Sequence, residues 1–315
     1  MLGPMSQTLR PRRSCLAVPG SNPRFLEKAK GLPADQVFLD LEDAVAPLAK
    51  PEARKNVVAA LNEKGWEGKT RVVRVNDLTT HWTYRDVIEV VEGAGPNLDC
   101  IMLPKVQSAA QVQWLSVTLS QIEKTMGFEV GRIGIEAQIE NAAGLLAVNE
   151  IAQASPRVET IIFGPADFAA SIEMPVLTGG IDIPEYPGDH FHYVFSRILM
   201  AGRANGLQVI DGPFLKVREL DALREYAIRT RMLGYDGKWA LTPDQAAVLN
   251  EVYSPTQEQF DHAYDLLEAY RKATDEDRKG AVMFGDEMID EASRKMATKF
   301  VARGERAGMA RRAGG

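Results

Sequence analysis

Cysteine is scarce: the 315 residues hold two, Cys15 and Cys100. Both fall in apolar, strand-like runs and read as buried, reduced thiols of a cytoplasmic protein, and no spacing suits zinc. The four histidines show no metal spacing either, since the His190-x-His192 pair alone is weak. An excess of basic charge is absent. Lys plus Arg number 37 and Asp plus Glu 43, a net charge of −6, so the basic face that phosphate contacts require is not expected, and neither is nucleic-acid binding. No apolar run approaches the roughly 20 residues of a membrane span, so no membrane partner is expected. The first thirteen residues are polar and basic, without the apolar core of a secretory leader. A dinucleotide fingerprint is missing: the first strand-like run ends in Pro19-Gly20-Ser21-Asn22-Pro23, and there is no Walker loop.

What is present is alternation. Hydrophobic residues are 45% and charged residues 25%, the ordinary mix of a folded chain. Eight short runs rich in apolar or β-branched residues recur: Ser14–Val18, Val37–Leu41, Arg71–Val75, Asp99–Leu103, Arg132–Gln138, Val158–Phe163, Leu207–Ile210 and Lys238–Leu241. Amphipathic stretches separate them, among them Lys50–Asn62, Trp82–Glu92, Ser108–Thr125, Ala142–Ala152 and Phe191–Asn205. Continuous apolar strands alternating with helices imply a parallel sheet covered by helices. Eight such units imply a (β/α)₈ TIM barrel, with a doubly wound open sheet as the rival. Ser108 and Asn141 are suited to N-caps and Pro165 to a first helical turn. Helices are expected at Asp244–Val252, Gln257–Lys272 and Glu287–Arg303, with Thr274–Lys279 as a polar linker. The division expected is a catalytic barrel over residues 1–273 and a C-terminal helical extension over 274–315.

In such a barrel the chemistry sits at the C-terminal ends of the strands. Polar residues collect there: Asp40, Glu42 and Asp43 after the second run, Arg74 and Asn76 on the third, Lys105 after the fourth, Glu136 and Glu140 near the end of the fifth, Asp167 after the sixth and Asp211 after the seventh. Several acids converging on one mouth would repel one another unless a cation lay among them. Hard oxygen ligands without a His or Cys cluster favour Mg²⁺, and Mn²⁺ fits the same oxygens. Glu140 and Asp167 are the best-placed pair. Arg74, in an apolar strand, needs an anion. Each acid also has an ordinary reading as a cap or solvated loop residue. Asp40 and Asp43 could equally cap the next helix or pair with Arg54, and Lys105 reads as a snorkelling lysine.

The strings Val18-Pro19-Gly20-Ser21-Asn22-Pro23-Arg24, Asp40-Leu41-Glu42-Asp43-Ala44-Val45-Ala46-Pro47, Gly164-Pro165-Ala166-Asp167-Phe168-Ala169-Ala170-Ser171, Tyr186-Pro187-Gly188-Asp189-His190-Phe191 and Gly285-Asp286-Glu287-Met288-Ile289-Asp290-Glu291-Ala292 resemble the citrate lyase β-subunit-like branch of the HpcH/HpaI aldolase superfamily. Within it they are most similar to the malyl-CoA/β-methylmalyl-CoA lyases. The resemblance runs from about Arg12 to Gly304. It implies a (β/α)₈ barrel, Mg²⁺ and a CoA thioester substrate. It also implies Glu140 and Asp167 as metal ligands, Arg74 at the thioester oxygen and Arg24 as a CoA contact. Asp290 is implied as an acid/base supplied by a neighbouring subunit of a homotrimer or homohexamer. One position departs: relatives usually carry His-Pro in a GKxxxHPxQ pattern, where this chain has Thr242-Pro243. A hydroxyl can replace one imidazole hydrogen bond but not its charge.

The activity implied is carbon–carbon cleavage of malyl-CoA to glyoxylate and acetyl-CoA. The alternatives are a malyl-CoA thioesterase, a citramalyl-CoA lyase or a citrate lyase β-like subunit that needs partner chains.

Overall fold

The computed structural model describes residues 9–176, 186–275 and 280–312. They divide into two compact units, residues 1–250 and 251–315. In the first, strands β1 (Ser14–Pro19), β2 (Gln36–Asp40), β3 (Thr70–Arg74), β4 (Cys100–Leu103), β5 (Gly134–Ile139), β6 (Val158–Phe163), β7 (Gln208–Asp211) and β8 (Gly237–Ala240) form a closed barrel in chain order. Every pairing is parallel, and β8 returns to β1. The barrel and its eight strands are as expected, each strand beginning and ending within two residues of the sequence reading.

The outer layer holds α1 (Pro23–Lys30), α2 (Lys50–Asn62), α3 (Thr83–Ala94), α4 (Ala109–Met126), α5 (Ala142–Leu146), α6 (Val148–Ala152), α7 (Pro165–Ser171), α8 (His192–Ala204), α9 (Leu220–Leu233) and α10 (Pro243–Val252). Asn141 caps α5 through Gly144 N–H at 2.7 Å, and Pro165 opens α7. Ser108 precedes α4 without a side-chain cap bond.

Strands buried on both faces need apolar side chains throughout. Cys15, Phe38, Val72, Cys100, Met102, Ile162, Ile210 and Trp239 form one buried cluster. Both cysteines are free thiols whose burial pushes their pKa well up.

The N-terminal end of the barrel is closed by charge. The fully buried Arg12 donates to Glu136 at 2.8 Å, Glu159 at 2.7 Å, Gln36 at 2.9 Å and Gln208 at 2.6 Å. Glu136 therefore does not join the mouth. It is only the third residue of β5, and its side chain is spent on Arg12 and Gln36.

The second unit contains α11 (Gln257–Asp275), a hairpin of β9 (Val282–Phe284) and β10 (Glu287–Ile289), and α12 (Glu291–Arg306). Phe260, Ala263, Leu266, Tyr270, Ile289, Ala297 and Val301 form its core. The division falls before α11, not at 273/274, because α11 buries its apolar face in this second core. Residues 276–279 of the expected linker lie outside the described residues. Residues 287–289 are strand where helix was expected. Gly285, at φ 59°, supplies the left-handed turn between the two strands.

Candidate active site

Adjacent strands set the first contact. Asp40 ends β2 and Arg74 ends β3, and the two are register partners. The Arg74 guanidinium donates to both Asp40 oxygens, each at 2.7 Å. Its third nitrogen lies 2.8 Å from Glu42. Arg74 is buried against Phe38 and Trp239, with the Trp239 ring centre 5.3 Å away. A buried cation in an apolar strand thus has the anions it requires. Burial alone would push the Asp40 carboxyl up. Arg74 and the Glu42 and Ala44 N–H groups outweigh it and hold Asp40 below the usual range.

Glu42 and Glu140 behave the other way. Burial, the largest cause, raises the Glu42 carboxyl despite Arg74. Burial, and then the negative charge of Glu42, raises Glu140 well above the usual range. Gln138 and Glu140, two residues apart, face the same side of β5 and the turn after it. The Gln138 amide donates to Glu140 Oε2 at 3.0 Å. Lys105 N–H donates to Glu140 Oε1 at 2.7 Å. Gly164 closes the other side: a Cβ there would lie 2.5 Å from Glu140 Oε2. Asp167, in the first turn of α7, is 41% exposed on its side chain.

Lys105 joins these acids. Its ammonium is 2.6 Å from Glu42, 3.3 Å from Asp43 and 3.7 Å from Asp167. Its backbone has φ 52°, a conformation few non-glycine residues adopt. It is therefore a fixed part of the acid cluster and not a snorkelling surface lysine.

Other expected residues are placed elsewhere. Asp211, at the end of β7, accepts from the Lys238 ammonium at 2.6 Å on one oxygen and from Gly212 N–H at 2.7 Å on the other, and the lysine lies over the Tyr226 ring of α9. Arg54 pairs with Asp86 and Glu89 and not with Asp40 or Asp43. Arg24 is exposed in the first turn of α1, which follows β1 at the mouth end. Asp290 lies in the second unit as the N-cap of α12. It accepts from Ser293 and Ala292 N–H, which hold its carboxyl below the usual range. Thr242 Oγ1 accepts from Gln245 N–H at 3.2 Å, and the Gln245 side chain accepts from Leu241 N–H at 2.8 Å. The hydroxyl at the departing position is thus used to start α10.

Among the described residues no three His, Cys, Asp or Glu side chains converge as a metal cage. A Mg²⁺ ion does not require one, since it usually takes one or two carboxylates and fills its remaining positions with water and substrate oxygens. The donor set fits such an ion. Glu140 is an almost wholly buried carboxylate crowded by acids, and Asp167 is a half-open one. Buried Gln138 Oε1 and Trp239 Nε1 have no hydrogen-bond partner among the described residues. From sequence Glu42 and Lys105 are expected at the mouth but without a role, Trp239 reads as a core or interface residue, and Gln138 is not singled out. The i, i+2 spacing of Gln138 and Glu140 on one strand face was the readable signal for the amide.

A model of the HpcH/HpaI aldolase/citrate lyase family matches residues 13–243. The L-malyl-CoA/β-methylmalyl-CoA lyase of Cereibacter sphaeroides is 39% identical over 305 residues, covering 94% of this chain and 95% of that protein. The citrate lyase β subunit of Escherichia coli is 32% identical over 302 residues, 95% of each chain. Among solved structures, protein CitE of Mycobacterium tuberculosis, in complex with magnesium, acetoacetate and coenzyme A, superposes with a TM-score of 0.72. It is 29% identical and covers 96% of this chain and 99% of that one.

Proposed function

The chain belongs to the HpcH/HpaI aldolase/citrate lyase family, and we propose that it is a Mg²⁺-dependent lyase that reversibly cleaves malyl-CoA and β-methylmalyl-CoA. The products are glyoxylate with acetyl-CoA or propionyl-CoA. The observation that carries this reading is the convergence, at the C-terminal strand ends, of Glu140 and Asp167 with the buried Arg74. That set combines hard oxygen ligands with a preorganised cation.

Glu140 and Asp167 would hold the metal, with Mn²⁺ able to use the same oxygens. When bound, the ion supplies Lewis-acid polarisation of the glyoxylate oxygens. In cleavage the hydroxyl proton passes to solvent water, the carbon–carbon bond breaks, and its electron pair stays on the thioester fragment as an enolate. Arg74 is fixed by Asp40 beside the Trp239 ring, and in this reading its charge stabilises the enolate oxygen. In the condensation direction the Asp290 carboxylate would take a proton from the acetyl methyl carbon, and in cleavage the carboxylic acid would return it to the enolate carbon. The family pattern has a neighbouring copy supply this residue, which makes the active form a homotrimer or homohexamer. Arg24 would contact the CoA moiety. The free, buried thiols suit a cytoplasmic enzyme.

The test is condensation. The purified chain is incubated with glyoxylate, Mg²⁺ and either acetyl-CoA or propionyl-CoA, and products are read by mass spectrometry. Malyl-CoA or methylmalyl-CoA that disappears in EDTA supports the reading. Product with pyruvate and none with glyoxylate replaces it with the citramalyl-CoA reaction.

A further inference from the structure

The position of Lys105 has no counterpart in the catalytic scheme. Its N–H fixes one oxygen of Glu140, and its ammonium sits among three further carboxylates. Two of these contacts differ in kind. Glu42 is buried, is also paired with Arg74, and holds the ammonium at 2.6 Å. Asp167 is open and lies 3.7 Å away, beyond hydrogen-bond reach. The first contact anchors the lysine and the second can be exchanged.

Without a countercharge, Glu42, Asp43, Glu140 and Asp167 would face one another with only Arg74 to offset them. Arg74 is already committed to Asp40 and Glu42. Repulsion of this kind is strong at the intermediate dielectric of a half-buried site. The ammonium fills the gap. It does so beside one of the two carboxylates assigned to the metal.

We propose that the Lys105 ammonium is a built-in counter-ion that competes with a divalent cation for Asp167, so that it holds the acid cluster together before the metal binds and sets the affinity of the metal site. This rests on the assignment of Glu140 and Asp167 as ligands. Binding of the ion replaces the Lys105–Asp167 contact and leaves the Lys105–Glu42 contact in place. The lysine is in this respect a positioning residue.

The experiment measures Mn²⁺ binding to the chain without substrate, by electron paramagnetic resonance of the free ion. Thermal denaturation is recorded with and without the metal. Lys105→Met keeps the backbone N–H and an unbranched side chain one heavy atom shorter, and removes the ammonium charge together with its bonds to Glu42 and Asp43. Its dissociation constant should fall roughly ten- to a hundredfold, as expected when one unit charge is removed a few ångströms from a divalent ion. In EDTA its Tm should lie below that of the wild type, and Mn²⁺ should raise it by more. Lys105→Arg should bind as the wild type does. Unchanged or weaker binding by Lys105→Met, or equal tightening by Lys105→Arg, overturns the proposal. Glu140→Gln separates the two ideas. If it binds Mn²⁺ like the wild type, the ligand assignment fails independently of Lys105. If the wild type binds no Mn²⁺, both fall together.

Discussion

Both ends of the barrel are lined with charge, but the charge is arranged differently. At the N-terminal end cations and acids match in number: Arg10, Arg12, Arg13 and Arg71 share Asp35, Asp99, Glu136 and Glu159. At the C-terminal end Asp40, Glu42, Asp43, Glu140 and Asp167 share Arg74 and Lys105. The first arrangement is complete by itself and closes the barrel. The second has acid to spare and places two cations where they can be exchanged or put to use. The division between a stabilising and a reactive end follows the general plan of such barrels.

The largest effect should come from breaking the completed end. Arg12→Met leaves Glu136 buried and unpaired and should cost about 3–5 kcal/mol. Urea unfolding measures the loss, and kcat per folded molecule should remain that of the wild type. A fall in kcat without a fall in stability would erase the contrast. At the other end Glu140→Gln should lower lyase turnover by about 10²–10³, the usual consequence of losing a preorganised electrostatic group. Its Tm in EDTA should be equal or higher, since a crowded buried carboxylate is removed. A Tm that drops with the activity would make Glu140 a structural residue.

The acid limb sharpens the comparison. The folded-state pKa of Asp40 is held below its unfolded value. Its contribution to stability is therefore complete above about pH 4, the unfolded aspartate range, and is lost as pH falls through the depressed folded value. Asp40→Asn should be less stable than the wild type at neutral pH, with the gap closing as the solution is acidified. Unfolding followed against pH tests this. The smallest effect belongs to Thr242→Ala, which removes the bond to Gln245 N–H and should cost about 1 kcal/mol of stability. Turnover should be kept, because the hydroxyl starts a helix and does not touch the acid cluster.

The strand and helix periods made the barrel readable, because strands buried on both faces are apolar throughout and end in polar residues. The same rule placed Arg74, Glu140 and Asp167 at one mouth. It misplaced Glu136, and it put Asp211 rightly at the end of β7 without showing its pairing, since sequence position near a strand end does not say which buried cation a carboxylate will meet. Arg12, 124 residues away, claimed Glu136, and Lys238, the register partner on the adjacent β8, claimed Asp211. Lys105 was visible as a residue but not as a role. Its left-handed backbone and its contacts with Glu42 and Asp167 exist only once β2, β4 and β6 are neighbours of the same mouth. The hairpin before Asp290 was hidden by an amphipathic pattern that continues into α12, although Gly285-Asp286 marks its turn.

The most direct measurement of the central claim is the fate of (S)-malyl-CoA incubated with the purified chain and Mg²⁺. The account predicts glyoxylate and acetyl-CoA in equal amounts, both abolished by EDTA. Free CoA and malate, or cleavage that persists in EDTA, would contradict it.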